Sequence, residues 1–124
     1  AEQGITHVVR GADLLDSTPR QVYLQQLLGY ALPDYTHLPV AANLAGEKLS
    51  KQTRARHIET NDPVATLRDA LDFLRQPLPD DLRQASLDDL WRWAIAHWTP
   101  ATIPGCRSLP APAAWLDETA PDRT

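Results

Sequence analysis

The sequence predicts an α/β fold arranged as strand, helix, strand. Three observations predict it: a β-branched run at Ile5-Thr6-His7-Val8-Val9, a helix-start signal at Thr18-Pro19, and a second extended run from Tyr35 to Val40. Such a crossover favours parallel pairing, and parallel sheets are stable only when larger and covered on both faces. Two strands are too few for that. The chain is therefore expected to lean on strands supplied by an amino-terminal half outside it. It contains no methionine, which fits the same expectation that it begins partway through a longer chain.

Residues 4 to 10 read as a buried strand that meets a turn at Arg10-Gly11. Thr18-Pro19-Arg20-Gln21 combines a hydroxyl N-cap, proline at the first helical position and glutamine at the third, which together satisfy orphan backbone donors. The apolar stripe of that helix is Tyr23, Leu24, Leu27 and Leu28, and Gly29 supplies the residue expected just past a helix end. After the turn at Pro33-Asp34 comes the second strand, whose final residues Pro39 would demote to an edge or an exit.

Residues 44 to 57 form a polar loop. Asp62 with Pro63 then caps a helix with Val64, Leu67, Leu71 and Leu74 on one face. Pro77 and Pro79 break it, and Ser86 with Asp89 starts another, its expected buried stripe being Leu87, Leu90, Trp91, Ala94 and Trp98. Trp93 falls off that stripe, as a surface contact or a residue covered by the tail. From Thr99 onward five prolines without a sustained period suggest an irregular strap and a frayed end.

Composition narrows the chemistry. At 124 residues and 43% hydrophobic, the chain has about one domain's worth of core-forming material. A net charge of −4 excludes a field that would drive non-specific nucleic-acid binding, so any RNA contact must be local. The single Cys106 excludes an internal disulfide and a multi-cysteine zinc site, and a cytoplasmic setting is the default. No apolar run approaches bilayer length, and the first residues lack the regions of a signal peptide. His7, His37, His57 and His97 show no ligand spacing with Cys106, so no metal site is expected.

Within this acidic chain, Gly46 to Arg56 concentrates four cations: Lys48, Lys51, Arg54 and Arg56. A solvated basic loop accounts for that, and so does a polyphosphate grip, for which mobile ammonium groups are suited. Arg10 stands at the carboxyl end of a parallel strand, where ligands collect in open α/β sheets. Its planar fork serves either a carboxylate ligand or a structural ion pair. Asp13 and Asp16 could orient Arg10 or cap the following turn.

The run Thr6-His7-Val8-Val9-Arg10-Gly11-Ala12-Asp13-Leu14-Leu15-Asp16-Ser17-Thr18-Pro19-Arg20-Gln21, followed by Leu28-Gly29-Tyr30, His37-Leu38-Pro39 and Lys48-Leu49-Ser50-Lys51-Gln52, resembles the glutamyl-tRNA synthetase family of class I enzymes. The order and approximate spacing match over residues 4 to 53. Ala12, where conventional members usually carry an acidic residue, and Gln52, where they often carry arginine, are most similar to a truncated branch that attaches glutamate to the queuosine base of tRNA(Asp).

The resemblance implies an ATP-dependent ligase that forms glutamyl adenylate, with Mg2+ accompanying ATP. Lys51 corresponds to the second lysine of the family's Lys-Met-Ser-Lys-Ser (KMSKS) signature and is expected to bind ATP phosphate. Lys48 assists, Ser50 hydrogen-bonds within the loop, and Arg10 is assigned to glutamate. Residues 1 to 43 are then the second half of a Rossmann-like catalytic core and 44 to 57 the ATP loop. Residues 58 to 98 are a small helical region that resembles the family's stem-contact fold, and 99 to 124 the tail. The family's zinc site and its His-Ile-Gly-His-type ATP element lie outside this chain, so the isolated chain is expected to be inactive and the whole enzyme monomeric. A piece of a conventional glutamyl-tRNA synthetase and a non-catalytic tRNA-binding module are the two competing readings.

Overall fold

The computed structural model describes residues 2–50, 55 and 61–116. β1 (His7–Gly11) pairs in parallel with β2 (Asp34–Leu38), and the connection between them is a 3-10 turn over Ala12–Ser17 followed by α1 (Thr18–Leu27). The strand, helix, strand crossover is present as read from the sequence. The first strand is shorter than expected, because Gly4 sits in the left-handed region at φ 65° and turns the chain before Thr6.

Pro39 divides the second extended run. It is buried and has no N–H to donate, so β2 stops at Leu38 and the chain enters β3 (Val40–Ala42). The partner of β3 is β4 (Ser108–Pro110), parallel and in register Val40 to Ser108. The tail was expected to be irregular throughout. Instead, its Ser108-Leu109-Pro110 segment pairs with β3 within a ladder that Arg107 and Ala111 extend, Val40 N donating to Arg107 O at 3.0 Å and Ala111 N to Ala42 O at 2.8 Å. Proline at the last position leaves that ladder intact.

α1 starts at Thr18 with Ser17 as its helical-geometry cap, so the hydroxyl of Thr18 does not cap the helix as expected. The helix closes through Gly29 at φ 68°, Tyr30 N donating to Gln25 O at 2.9 Å. Its expected apolar stripe is not buried: Tyr23, Leu24, Leu27 and Leu28 are all more than half exposed.

The packed core lies elsewhere. α2 (Pro63–Phe73) is capped by Asp62, which accepts from Ala65 N at 2.9 Å, and α3 (Leu87–His97) by Ser86, which accepts from Asp89 N at 3.2 Å. Between the two helices Leu71, Leu78, Leu90 and Ala94 are buried, with Val64, Leu67, Leu82, Ala85 and Trp93 packed against them. This corrects the reading of α3: Trp91 and Trp98 are exposed at 50% and 42%, whereas Trp93 joins the core. The face is centred on Leu90, Trp93 and Ala94, spaced three and four apart, and Trp91 lies about a quarter turn away from Leu90.

A buried glutamine locks the helical part to the chain beyond it. Arg75 adopts a left-handed φ of 57° at the end of α2, and Gln76 Nε2 donates to Thr99 O and Thr102 Oγ1 while its Oε1 accepts from Thr99 N at 2.9 Å. Among the described residues no helix is long and apolar enough to cross a membrane.

Candidate functional site

The parallel register sets Arg10 opposite His37 and Val8 opposite Tyr35. Alternation along each strand then puts Arg10, His37 and Tyr35 on one face, which α1 covers. The covering is polar. Gln25 Nε2 donates to Tyr35 Oη at 3.0 Å, and Thr18, at the start of α1, meets both Arg10 and His37.

Arg10 is half-buried, and neutral groups hold it. Its Nη2 donates to Thr18 Oγ1 at 2.8 Å and its Nε to His37 Nε2 at 3.3 Å, while its Cζ stands 4.9 Å from the centroid of the Tyr35 ring. The Tyr35 and His37 rings are stacked with centroids 6.2 Å apart. Among the described residues no carboxylate pairs with Arg10.

Asp13 and Asp16, the acids nearest in sequence, are engaged with other cations, so neither orients Arg10. Lys48 Nζ lies 2.5 Å from Asp13 Oδ2, and the Lys48 ammonium holds the Asp13 carboxyl below its ordinary range. Arg107 grips Asp16 bidentately at 2.7 Å to each oxygen, which lowers the Asp16 carboxyl likewise and raises the Arg107 guanidinium. The turn after Arg10 is thereby tied both to the lysine loop and to the segment that forms β4.

The loop approaches this turn as part of a hairpin. Asn43 to Glu47 form a tight reversal, closed by Asn43 N donating to Glu47 O at 2.8 Å with Gly46 at φ 81°. The returning strand lies antiparallel to β3, Leu49 N donating to Ala41 O at 2.8 Å. Ala55 N meets Ser50 O at 3.0 Å, so the described residues on either side of 51–54 lie together. Lys51, to which ATP binding is assigned from the sequence, lies outside the described residues, as do Gln52, Arg54 and Arg56. Gly11 explains how closely the parts fit: a side chain there would collide with the Asp13 carboxylate and come within 3.0 Å of Val40 Cγ1.

The structure thus places Lys48 against the Arg10 turn. It also adds Thr18, His37 and Tyr35, whose roles the sequence did not disclose. The signal that could have found them is the parallel register that sets His37 beside Arg10, with Tyr35 two residues before it on the same face. Gln21, one helical turn beyond Thr18, keeps its Oε1 buried without a hydrogen-bond partner. Among the described residues no group of three or more His, Cys, Asp or Glu side chains could hold a metal ion.

Residues 1–87 match the family model of tRNA synthetases class I (E and Q), catalytic domain. The chain is 50% identical over 115 residues to the glutamyl-Q tRNA(Asp) synthetase of Aromatoleum aromaticum, covering 93% of this chain and 36% of that protein. To the proteins of the same name from Dechloromonas aromatica and Chromobacterium violaceum it is 56% and 54% identical, each over 84% of this chain and 35% and 34% of theirs. The chain spans about a third of the length of the curated relatives it matches.

Proposed function

Since the chain belongs to the class I tRNA synthetase (E and Q) catalytic-domain family, we propose that it carries the glutamate-binding and phosphate-binding parts of an enzyme that activates glutamate with ATP and transfers it to the queuosine base of tRNA(Asp). The names of its relatives support that choice of acceptor over a conventional glutamyl-tRNA synthetase. In this reading residues 1 to 43 are the later half of a Rossmann-like core, residues 44 to 57 the ATP loop and residues 58 to 98 a helical region toward the tRNA. The enzyme acts as a cytoplasmic monomer.

One observation carries the proposal. Arg10 is oriented by two neutral acceptors and an aromatic face, with no carboxylate partner among the described residues, so its charge stays available to a carboxylate of glutamate. In a structural ion pair that demand would already be met.

The reaction needs no protein nucleophile. A glutamate carboxylate oxygen attacks the α-phosphorus of ATP, the bond to pyrophosphate breaks, and glutamyl adenylate forms. A nucleophile of the queuosine base then attacks the acyl carbon and AMP leaves. Arg10 fixes the amino acid, while Lys51, assisted by Lys48, neutralises the growing charge on the phosphates that Mg2+ accompanies.

Glutamate-dependent exchange of pyrophosphate into ATP tests this in the enzyme at its full natural length. Arg10→Ala should abolish exchange at ordinary glutamate concentrations, and unchanged exchange would defeat the assignment. The 124-residue chain alone should show none. Transfer of glutamate to tRNA(Asp) with, but not without, queuosine distinguishes this enzyme from a conventional synthetase.

A further inference from the structure

Holding an arginine still usually falls to a carboxylate, but a carboxylate would also neutralise it. The cradle around Arg10 separates those two effects. Nε and Nη2 form one edge of the guanidinium, and that edge is met by two acceptors, His37 Nε2 and Thr18 Oγ1, which are themselves 3.0 Å apart. Arg10 Nε can only donate, so in this contact His37 Nε2 is the acceptor. Thr18 Oγ1 accepts from Arg10 and directs its single proton to Leu14 O, at 3.1 Å, or to His37.

Two uncharged side chains therefore present the paired acceptors that a carboxylate would, without its charge. The Tyr35 ring under the guanidinium, anchored by Gln25, sets the plane. Among the described residues nothing meets the end edge, formed by Nη1 and the second hydrogen of Nη2, which faces a ligand in this reading.

We infer that Thr18 and His37 are a positioning pair for substrate recognition: they aim the free edge of Arg10 at the carboxylate of the amino acid and keep its charge uncompensated until that carboxylate arrives. This rests on the assignment of Arg10 to glutamate. Thr18 belongs to the helix and His37 to the neighbouring strand, so the pair also makes the aim of Arg10 depend on how α1 sits against β2.

The test is steady-state pyrophosphate exchange by the full-length enzyme, with glutamate and ATP varied separately and glutamate affinity measured by calorimetry. Thr18→Val removes the acceptor at nearly constant volume, and His37→Phe removes the ring nitrogen while keeping a ring to stack on Tyr35. Each should raise the KM for glutamate roughly ten-fold or more, the loss expected for one hydrogen bond to a charged group, while leaving the KM for ATP unchanged. Thr18→Ser keeps the hydroxyl and should recover glutamate affinity.

Failures of the two claims look different. If Arg10→Ala leaves glutamate affinity intact, the assignment of Arg10 itself is wrong. If Arg10→Ala destroys that affinity but Thr18→Val and His37→Phe do not alter it, the positioning inference is overturned. It is also overturned if they lower only the fraction of active enzyme with both KM values unchanged, since that pattern marks a folding role.

Discussion

Lys48 and Asp13 meet at 2.5 Å across 35 residues of sequence, joining the first lysine of the loop to the turn that follows Arg10. The contact is a mechanical tie between the part of the molecule assigned to nucleotide and the part assigned to amino acid.

That tie should depend on pH. The folded Asp13 carboxyl is held below its unfolded value by the Lys48 hydrogen bond, so its contribution is fully present above about pH 4 and is lost as pH falls through the lowered value. Both partners are substantially exposed, so Asp13→Asn should lower stability at neutral pH by less than about 1 kcal/mol. Thermal melts of wild type and variant should differ at pH 7 and converge as pH falls below the lowered Asp13 value. A gap that persists in acid would mean that Asp13 acts other than through its charge.

Lys51 and Lys48 should differ in weight. In the full-length enzyme Lys51→Ala is expected to slow adenylate formation by a few hundred-fold, about 3 to 4 kcal/mol, as for one preorganised donor at a phosphate. Lys48→Ala should cost less, because the Asp13 carboxylate already shares that ammonium. Single-turnover rates with saturating ATP rank the two directly, and a larger loss for Lys48 would reverse the assignment.

Gln76 is buried to 4% exposure and bonds Thr99 through both ends of its amide. Gln76→Leu leaves the Thr99 N–H and carbonyl without that partner and should destabilise the fold by about 2 kcal/mol or more. Urea unfolding measures it. A midpoint unchanged from wild type would show that solvent satisfies Thr99 equally well.

The phase of α3 can be checked by comparing neighbours. Leu90 is fully buried, so Leu90→Ala should cost about 2 to 5 kcal/mol, whereas Trp91→Ala, on the exposed side, should cost about 1 kcal/mol or less. Equal losses in chemical denaturation would restore the original stripe.

What could be read in advance was local. The β-branched run, the Asp62 and Ser86 caps, Gly29 past the helix end and Pro39 as an exit all act through their own backbone or the next few residues; the caps, Gly29 and Pro39 are found where expected, and the run forms a strand that starts later than expected, at His7. What could not be read depended on distant partners. β4 exists because Val40–Ala42 offers an edge 68 residues earlier, and Ser108-Leu109-Pro110 has no strand signal of its own. Trp91 and Trp93 differ by two residues on a helix, so an apolar stripe drawn from sequence could take in either. Thr18 carried a strong capping signal, but Arg10 and His37 use its hydroxyl, and only the strand register reveals that competition.

The helix that carries Thr18 and Gln25 has no buried residue of its own. A segment so lightly anchored should be among the first to breathe, opening well below the cost of global unfolding. When it opens, the clasp on Arg10 and Tyr35 opens with it. On the proposed role of Arg10, readiness to receive an amino acid is then set by a local folding equilibrium, and whatever rests on the outer surface of α1, or an occupant at Arg10 itself, would tighten it by mass action.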